Sequence, residues 1–201
     1  MTDDYLHLSL DDFLDRLSAD GVSPGSGSAA AIAVAFAARL VAMVANCSRQ
    51  SWGDAAGVLA QATAVSDRAI DLAREAATAW EDALTALRDA EASTPGDPRR
   101  DFRLEQKLDA AAAVPLGIAS LGADAVALAA LAAEHGQAAY RADAAAAAAL
   151  AAGAARAAAH LVRVNLGIRA SDPRLARAVA CEREASELAE RLLGAESTVA
   201  S

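Results

Sequence analysis

Aromatic residues make up 3% of this 201-residue chain, and prolines number five. With so few of the side chains that favour a pleated sheet, and with alanine runs such as Ala144 to Ala149, there is little material for β-strands and much for closely packed helices. The two cysteines, Cys47 and Cys181, lie far apart and read as ordinary buried thiols, so no disulfide framework is expected. The three histidines, His7, His135 and His160, share no metal-ligand spacing with one another or with either cysteine, so a metal site is not expected. Basic runs are missing as well. At a formal charge of −9, nothing tracks a phosphate backbone, nucleic acid is not an expected partner, and an acidic ligand would need locally placed arginines. There is no Walker loop, because the one glycine-rich turn lacks a lysine and a preceding strand. No triad nucleophile stands out among the serines.

What the chain does have is length for one domain with a real core and a hydrophobic content of 55%. The expectation is an all-α fold, a single-domain bundle of about six helices spanning 1–201, with long alanine-rich helices. Mean hydropathy is +0.21, and Ser28 to Ser48 is the segment that approaches a membrane-spanning length. Arg39 sits near its middle, where insertion costs about 2.5–3.5 kcal/mol, so a buried soluble helix is expected and no membrane partner. Met1-Thr2-Asp3-Asp4 is acidic where a secretory signal would be basic, which points to the cytoplasm. Alanine-rich helices approach closely but bury little apolar area per residue, at roughly 25 cal/mol per Å². Pooling surface between two subunits offsets that, and a homodimer is expected.

Periodicity places a short amphipathic helix at about Leu8 to Ser18, opened by Ser9 or Asp11. Further helices run from about Ser28 to Arg49, Asp54 to Glu91, Arg100 to His135, Ala142 to Ile168, and from Pro173 to near Leu193. Thr94-Pro95-Gly96-Asp97-Pro98 reads as an exposed loop. Pro115 falls inside the fourth helix, where it removes one helical N–H and releases the carbonyl of Ala111, so a kink or break is expected there. Gly136 reads as that helix's stop.

The most informative segment is Ser23-Pro24-Gly25-Ser26-Gly27-Ser28, which runs straight into the apolar stretch from Ala29 to Cys47. A proline and glycine turn before strong helix formers gathers free backbone N–H groups and a positive dipole end, suited to an anion or a polar ring. The plainer reading is an N-cap made by Ser26 or Ser28. Along the second helix, Ile32, Phe36, Arg39, Met43 and Asn46 share one face. A core-facing Arg39 or Asn46 must be satisfied, by a structural partner or by a ligand. On the third helix, Asp82 groups with Glu75, Thr78 and Asp89, opposite Trp80, Leu84 and Leu87, and periodicity alone makes it a solvated carboxylate. Asp143 stands near the start of the fifth helix, where a carboxylate also relieves the dipole.

Several separated pieces together resemble one family, the formiminotransferase-cyclodeaminase C-terminal domain and the related stand-alone methenyltetrahydrofolate cyclohydrolases. Pro24-Gly25-Ser26-Gly27-Ser28 followed by Met43-Val44-Ala45-Asn46 is similar to the family's Pro-Gly-Gly-Gly-Ser turn and its alanine-rich helix. Asp82-Ala83, Val114-Pro115-Leu116, Ala142-Asp143-Ala144 and Val162-Arg163-Val164-Asn165-Leu166 resemble its later motifs, in the same order, over about residues 10 to 170. The resemblance implies a helical dimer that binds a tetrahydrofolate derivative, with no cofactor beyond that substrate. It would either hydrolyse methenyltetrahydrofolate to formyltetrahydrofolate or cyclise formiminotetrahydrofolate with loss of ammonia. The resemblance implies Asp82 and Asp143 as catalytic carboxylates near the cationic amidine carbon. It implies the turn from Pro24 to Ser28, with Arg39, Asn46, Arg163 and Asn165, as the substrate-binding set. The chain departs from the family at Ser26, Ala142, Ala86 and the segment Cys47 to Trp52. Those departures leave open a non-catalytic helical dimer of the same fold.

Overall fold

A computed structural model describes residues 7–20, 24–92, 97–166 and 171–199. Among these residues there are no strands. The six helices are α1 (Leu10–Ser18), α2 (Ser26–Cys47), α3 (Ala55–Ala92), α4 (Pro98–His135), α5 (Arg141–Leu166) and α6 (Pro173–Val199), with a 3-10 turn at Ala138–Tyr140. The all-α reading and the number of helices hold. Ser23 and Thr94 to Gly96, part of the expected turn and loop, lie outside the described residues.

Local chemistry sets the helix starts. Ser9 opens α1, its hydroxyl accepting from the Asp12 N–H at 3.2 Å. Asp97 accepts from the Arg99 N–H at 3.0 Å with Pro98 in the first turn, so α4 starts two residues earlier than the periodicity suggested. Asp172 and Pro173 open α6 in the same way, and that helix runs through Gly194 to Val199 instead of stopping near Leu193. An interior glycine costs a helix about 1 kcal/mol relative to alanine, too little to end it.

The expected break at Pro115 does not occur: α4 is one helix from Pro98 to His135. The carbonyl of Ala111, which proline deprives of its helical partner, accepts instead from Asn165 Nδ2 of α5 at 2.7 Å. A side chain from the neighbouring helix thus replaces the missing rung.

α2 packs against α3, α4 and α5, while α4 and α5 make the most extensive pairing and α6 covers both. The core is built largely of alanine and valine, among them Ala31, Val34, Ala38, Val41, Val126, Ala148 and Val162. Such small side chains let backbones approach closely. At Gly122 of α4 an added Cβ would stand 2.9 Å from the Ala155 Cβ and 3.0 Å from the Ala151 carbonyl oxygen of α5, so glycine is required at that crossing. Phe13 of α1 packs separately on Ala77 and Ile32.

By length and composition three stretches, not one, are apolar enough to cross a membrane: Ser26–Cys47, Pro98–His135 and Ala138–Leu166. The charges of α4 crowd into its first turns, and Asp124 alone interrupts the apolar stretch from Ala110 to Ala133. At least half of each such window is buried within the bundle.

Candidate functional site

The start of α2 meets the middle of α3, the region around Pro115 of α4 and the last turns of α5. Gly27 allows this meeting, since a Cβ there would lie 3.1 Å from the Ala76 Cβ. Ser28, 1% exposed, donates its hydroxyl to the Ala73 carbonyl at 2.9 Å and pins α2 to α3. The sequence offered Ser26 or Ser28 as a cap. Gly25 holds the N-cap position without a side-chain bond, so the first-turn N–H groups are not covered by a capping hydroxyl.

These elements enclose a cleft of about 140 Å³. Gly25 to Ser28 form one wall, Ala76 and Trp80 of α3 a second, Ala111 and Pro115 of α4 a third, and Leu161 and Asn165 of α5 the fourth. The lining is mainly apolar, with a helix N-terminus and one carboxamide as its polar features. A flat ring with a few polar edges suits such a surface better than a bare ion. Trp80, at 42% exposure, presents an aromatic face there. Periodicity had put it on the side of α3 opposite Asp82, without a role. The signal available was its rarity, as one of two tryptophans in an aromatic-poor chain.

Pro24 is buried beside the turn. Among the expected binding residues, Gly25, Ser26, Gly27, Ser28 and Asn165 come together in the cleft. Asp82 does not line it: three residues beyond Ala79 and paired with Lys107, four residues before Ala111, it lies about one helical turn past the lining. The pair is short, Nζ to Oδ2 2.6 Å, and both side chains are half exposed. Lys107 is the chain's single lysine.

The remaining expected residues lie elsewhere. Arg39 does not face the core: its Nε donates to Ser66 Oγ at 2.9 Å, and its Nη2 meets Asp67 Oδ1 at 2.6 Å on the surface. The stripe that carries Phe36, 54% exposed, and the exposed Asn46 points outward as well. The physical reason is close packing. The inner face of α2 is its small-residue face, so the larger side chains are left outside. Asn46 is 18 residues from Ser28, about 27 Å along the helix. Arg163 turns toward α6, where Nη1 holds Glu182 Oε2 at 2.7 Å. Asp143 sits in the first turn of α5, 22 residues and about 33 Å from Asn165. It lies beside Tyr140, whose phenol is pushed up chiefly by its hydrogen bond with Cys47, with a lesser push from the Asp143 charge. In this chain Asp82 and Asp143 therefore do not share a cleft. No group of three or more potential metal ligands occurs among the described residues.

A family model described as Formiminotransferase-cyclodeaminase matches residues 9–185. The fold is similar to that of formiminotetrahydrofolate cyclodeaminase from Thermotoga maritima, with a TM-score of 0.76 at 22% identity, over 94% of this chain and 98% of that one. The chain matches no curated protein.

Proposed function

Since this chain belongs to the formiminotransferase-cyclodeaminase family, we propose that its cleft binds a tetrahydrofolate derivative and that the protein acts on the one-carbon unit that derivative carries. The observation that carries this reading is the meeting of an uncapped helix start, an aromatic face and an oriented carboxamide around one mainly apolar cleft, with the Asp82 carboxylate about one helical turn beyond it. The apolar walls and Trp80 would take the ring system, and the N–H groups of α2 its polar edge or a carboxylate.

Two reactions fit. In hydrolysis, water adds to the methenyl carbon, the bond from that carbon to one nitrogen breaks to leave a formyl group, and one proton is released. In cyclodeamination, the second folate nitrogen attacks the formimino carbon and ammonia departs. Both centre on a carbon between two nitrogens that bears positive charge. Asp82 would stabilise that charge and carry the proton from water or to the leaving amine. Neither route calls for a cofactor beyond the folate. Asp143, far from this cleft in its own subunit, has no part in the scheme as drawn.

We place the protein in the cytoplasm as a homodimer. The exposed Phe36 of α2 and Leu150 of α5, with Ile32 and Met43 half-buried beside Phe36, support a second copy as the covering surface.

One observation favours a second reading, a scaffold that has lost the reaction: the Asp82 carboxylate is held by Lys107 instead of lining the cleft. Purified protein mixed with methenyltetrahydrofolate separates the two. Loss of the methenyl absorbance faster than in buffer, abolished by Asp82→Asn, supports the enzyme. A rate equal to buffer, together with no folate-induced thermal shift, removes it.

A further inference from the structure

Pro115 cannot donate to the Ala111 carbonyl, and Asn165 Nδ2 does so from the next helix at 2.7 Å. All three residues line the cleft. A carbonyl oxygen only accepts, so the carboxamide atom facing it is the nitrogen, and the whole group is held in one orientation. Its Oδ1 then meets no donor among the described residues. Had residue 115 carried an N–H, the rung would close within α4, and the Asn165 side chain would be free to rotate or flip.

We infer that Pro115 is a positioning residue: by withholding one backbone N–H it recruits the Asn165 amide and presents Oδ1 to the cleft as an oriented acceptor for a ring N–H of the ligand. The inference rests on the folate reading of the cleft and deepens it, since it selects for a heterocycle whose edge offers a donor, such as a cyclic amide. A ring with acceptors alone at that edge would face an acceptor and be rejected.

The experiment compares the full-length wild type with Pro115→Ala, and uses Val114→Ala to trim the same wall without touching the relay. Side-chain amide NMR, with the Asn165 signal assigned through Asn165→Ala, reads the hydrogen bond directly. In the wild type one Asn165 Nδ2–H is protected from exchange. In Pro115→Ala that protection is lost while Tm rises, because α4 regains its own rung. In Val114→Ala the protection stays. With methenyltetrahydrofolate, Pro115→Ala raises KM about three- to tenfold, the worth of one neutral hydrogen bond, with kcat within about twofold. Retained Nδ2–H protection in Pro115→Ala overturns the inference, and so does lost protection with KM unchanged. A wild type that neither turns over methenyltetrahydrofolate nor shows a thermal shift with it removes the folate reading, while the NMR comparison still decides whether Pro115 sets the amide.

Discussion

Lys107 Nζ stands 2.6 Å from Asp82 Oδ2 across the seam between α3 and α4, about one turn from the cleft. Both side chains are half exposed, and pairs of that kind contribute at most about 1 kcal/mol to stability. Asp82→Asn should therefore leave the unfolding free energy measured in urea within about 1 kcal/mol of the wild type while abolishing any turnover of methenyltetrahydrofolate. Lys107→Met should be equally mild for stability and should change kcat, because the proposed proton carrier loses the group that holds it in place. A full loss of folded protein in either variant would show the pair to be structural.

Gly27 and Gly122 mark two close approaches that shape the site and its supporting helices. A methyl at Gly122 meets Ala155 and a backbone oxygen, neither able to swing away, so Gly122→Ala should cost about 1–3 kcal/mol in urea unfolding. Gly27→Val adds bulk against Ala76 and should cost a similar amount, about 1–3 kcal/mol, while also closing the cleft. Folate-induced thermal shift would then vanish in Gly27→Val and persist, on a lower Tm, in Gly122→Ala.

Phe36 tests the proposed dimer. It is exposed in the middle of an apolar stripe, and a carboxylate there would be desolvated by any second copy. Phe36→Glu should shift the sedimenting species toward the 20.3 kDa monomer without loss of helicity. A wild type that already sediments as a monomer removes the dimer.

Asp124 carries a pH dependence of defined sign. Burial pushes its carboxyl above the ordinary carboxylate range, so the folded state prefers the protonated form. That preference is fully stabilising below the unfolded value of about 3.9 and is lost as pH rises through the higher folded value. Asp124→Asn should accordingly raise Tm at pH 7. The difference from wild type should shrink toward zero near about pH 3. An equal gain at both pH values would contradict the sign.

The amino-acid order alone determined the helical class, the six helices and most of their ends to within about two residues, because caps such as Ser9 and Asp172-Pro173 act through bonds to residues two or three positions away. It also determined that Gly25 to Ser28 would open a helix, and that Pro115 would strip the Ala111 carbonyl of its partner. Only the tertiary structure decided what answered that carbonyl, since Asn165 is 54 residues away in sequence. The same holds for the orientation of α2. In an alanine-dense helix both faces look apolar, so periodicity picks out the large side chains, while close packing buries the small ones and turns Phe36, Arg39 and Asn46 outward. Spacing likewise could not separate the two aspartates. Which end of the bundle each occupies follows from how α3 and α5 run past the start of α2, a matter of long-range packing that no local pattern encodes.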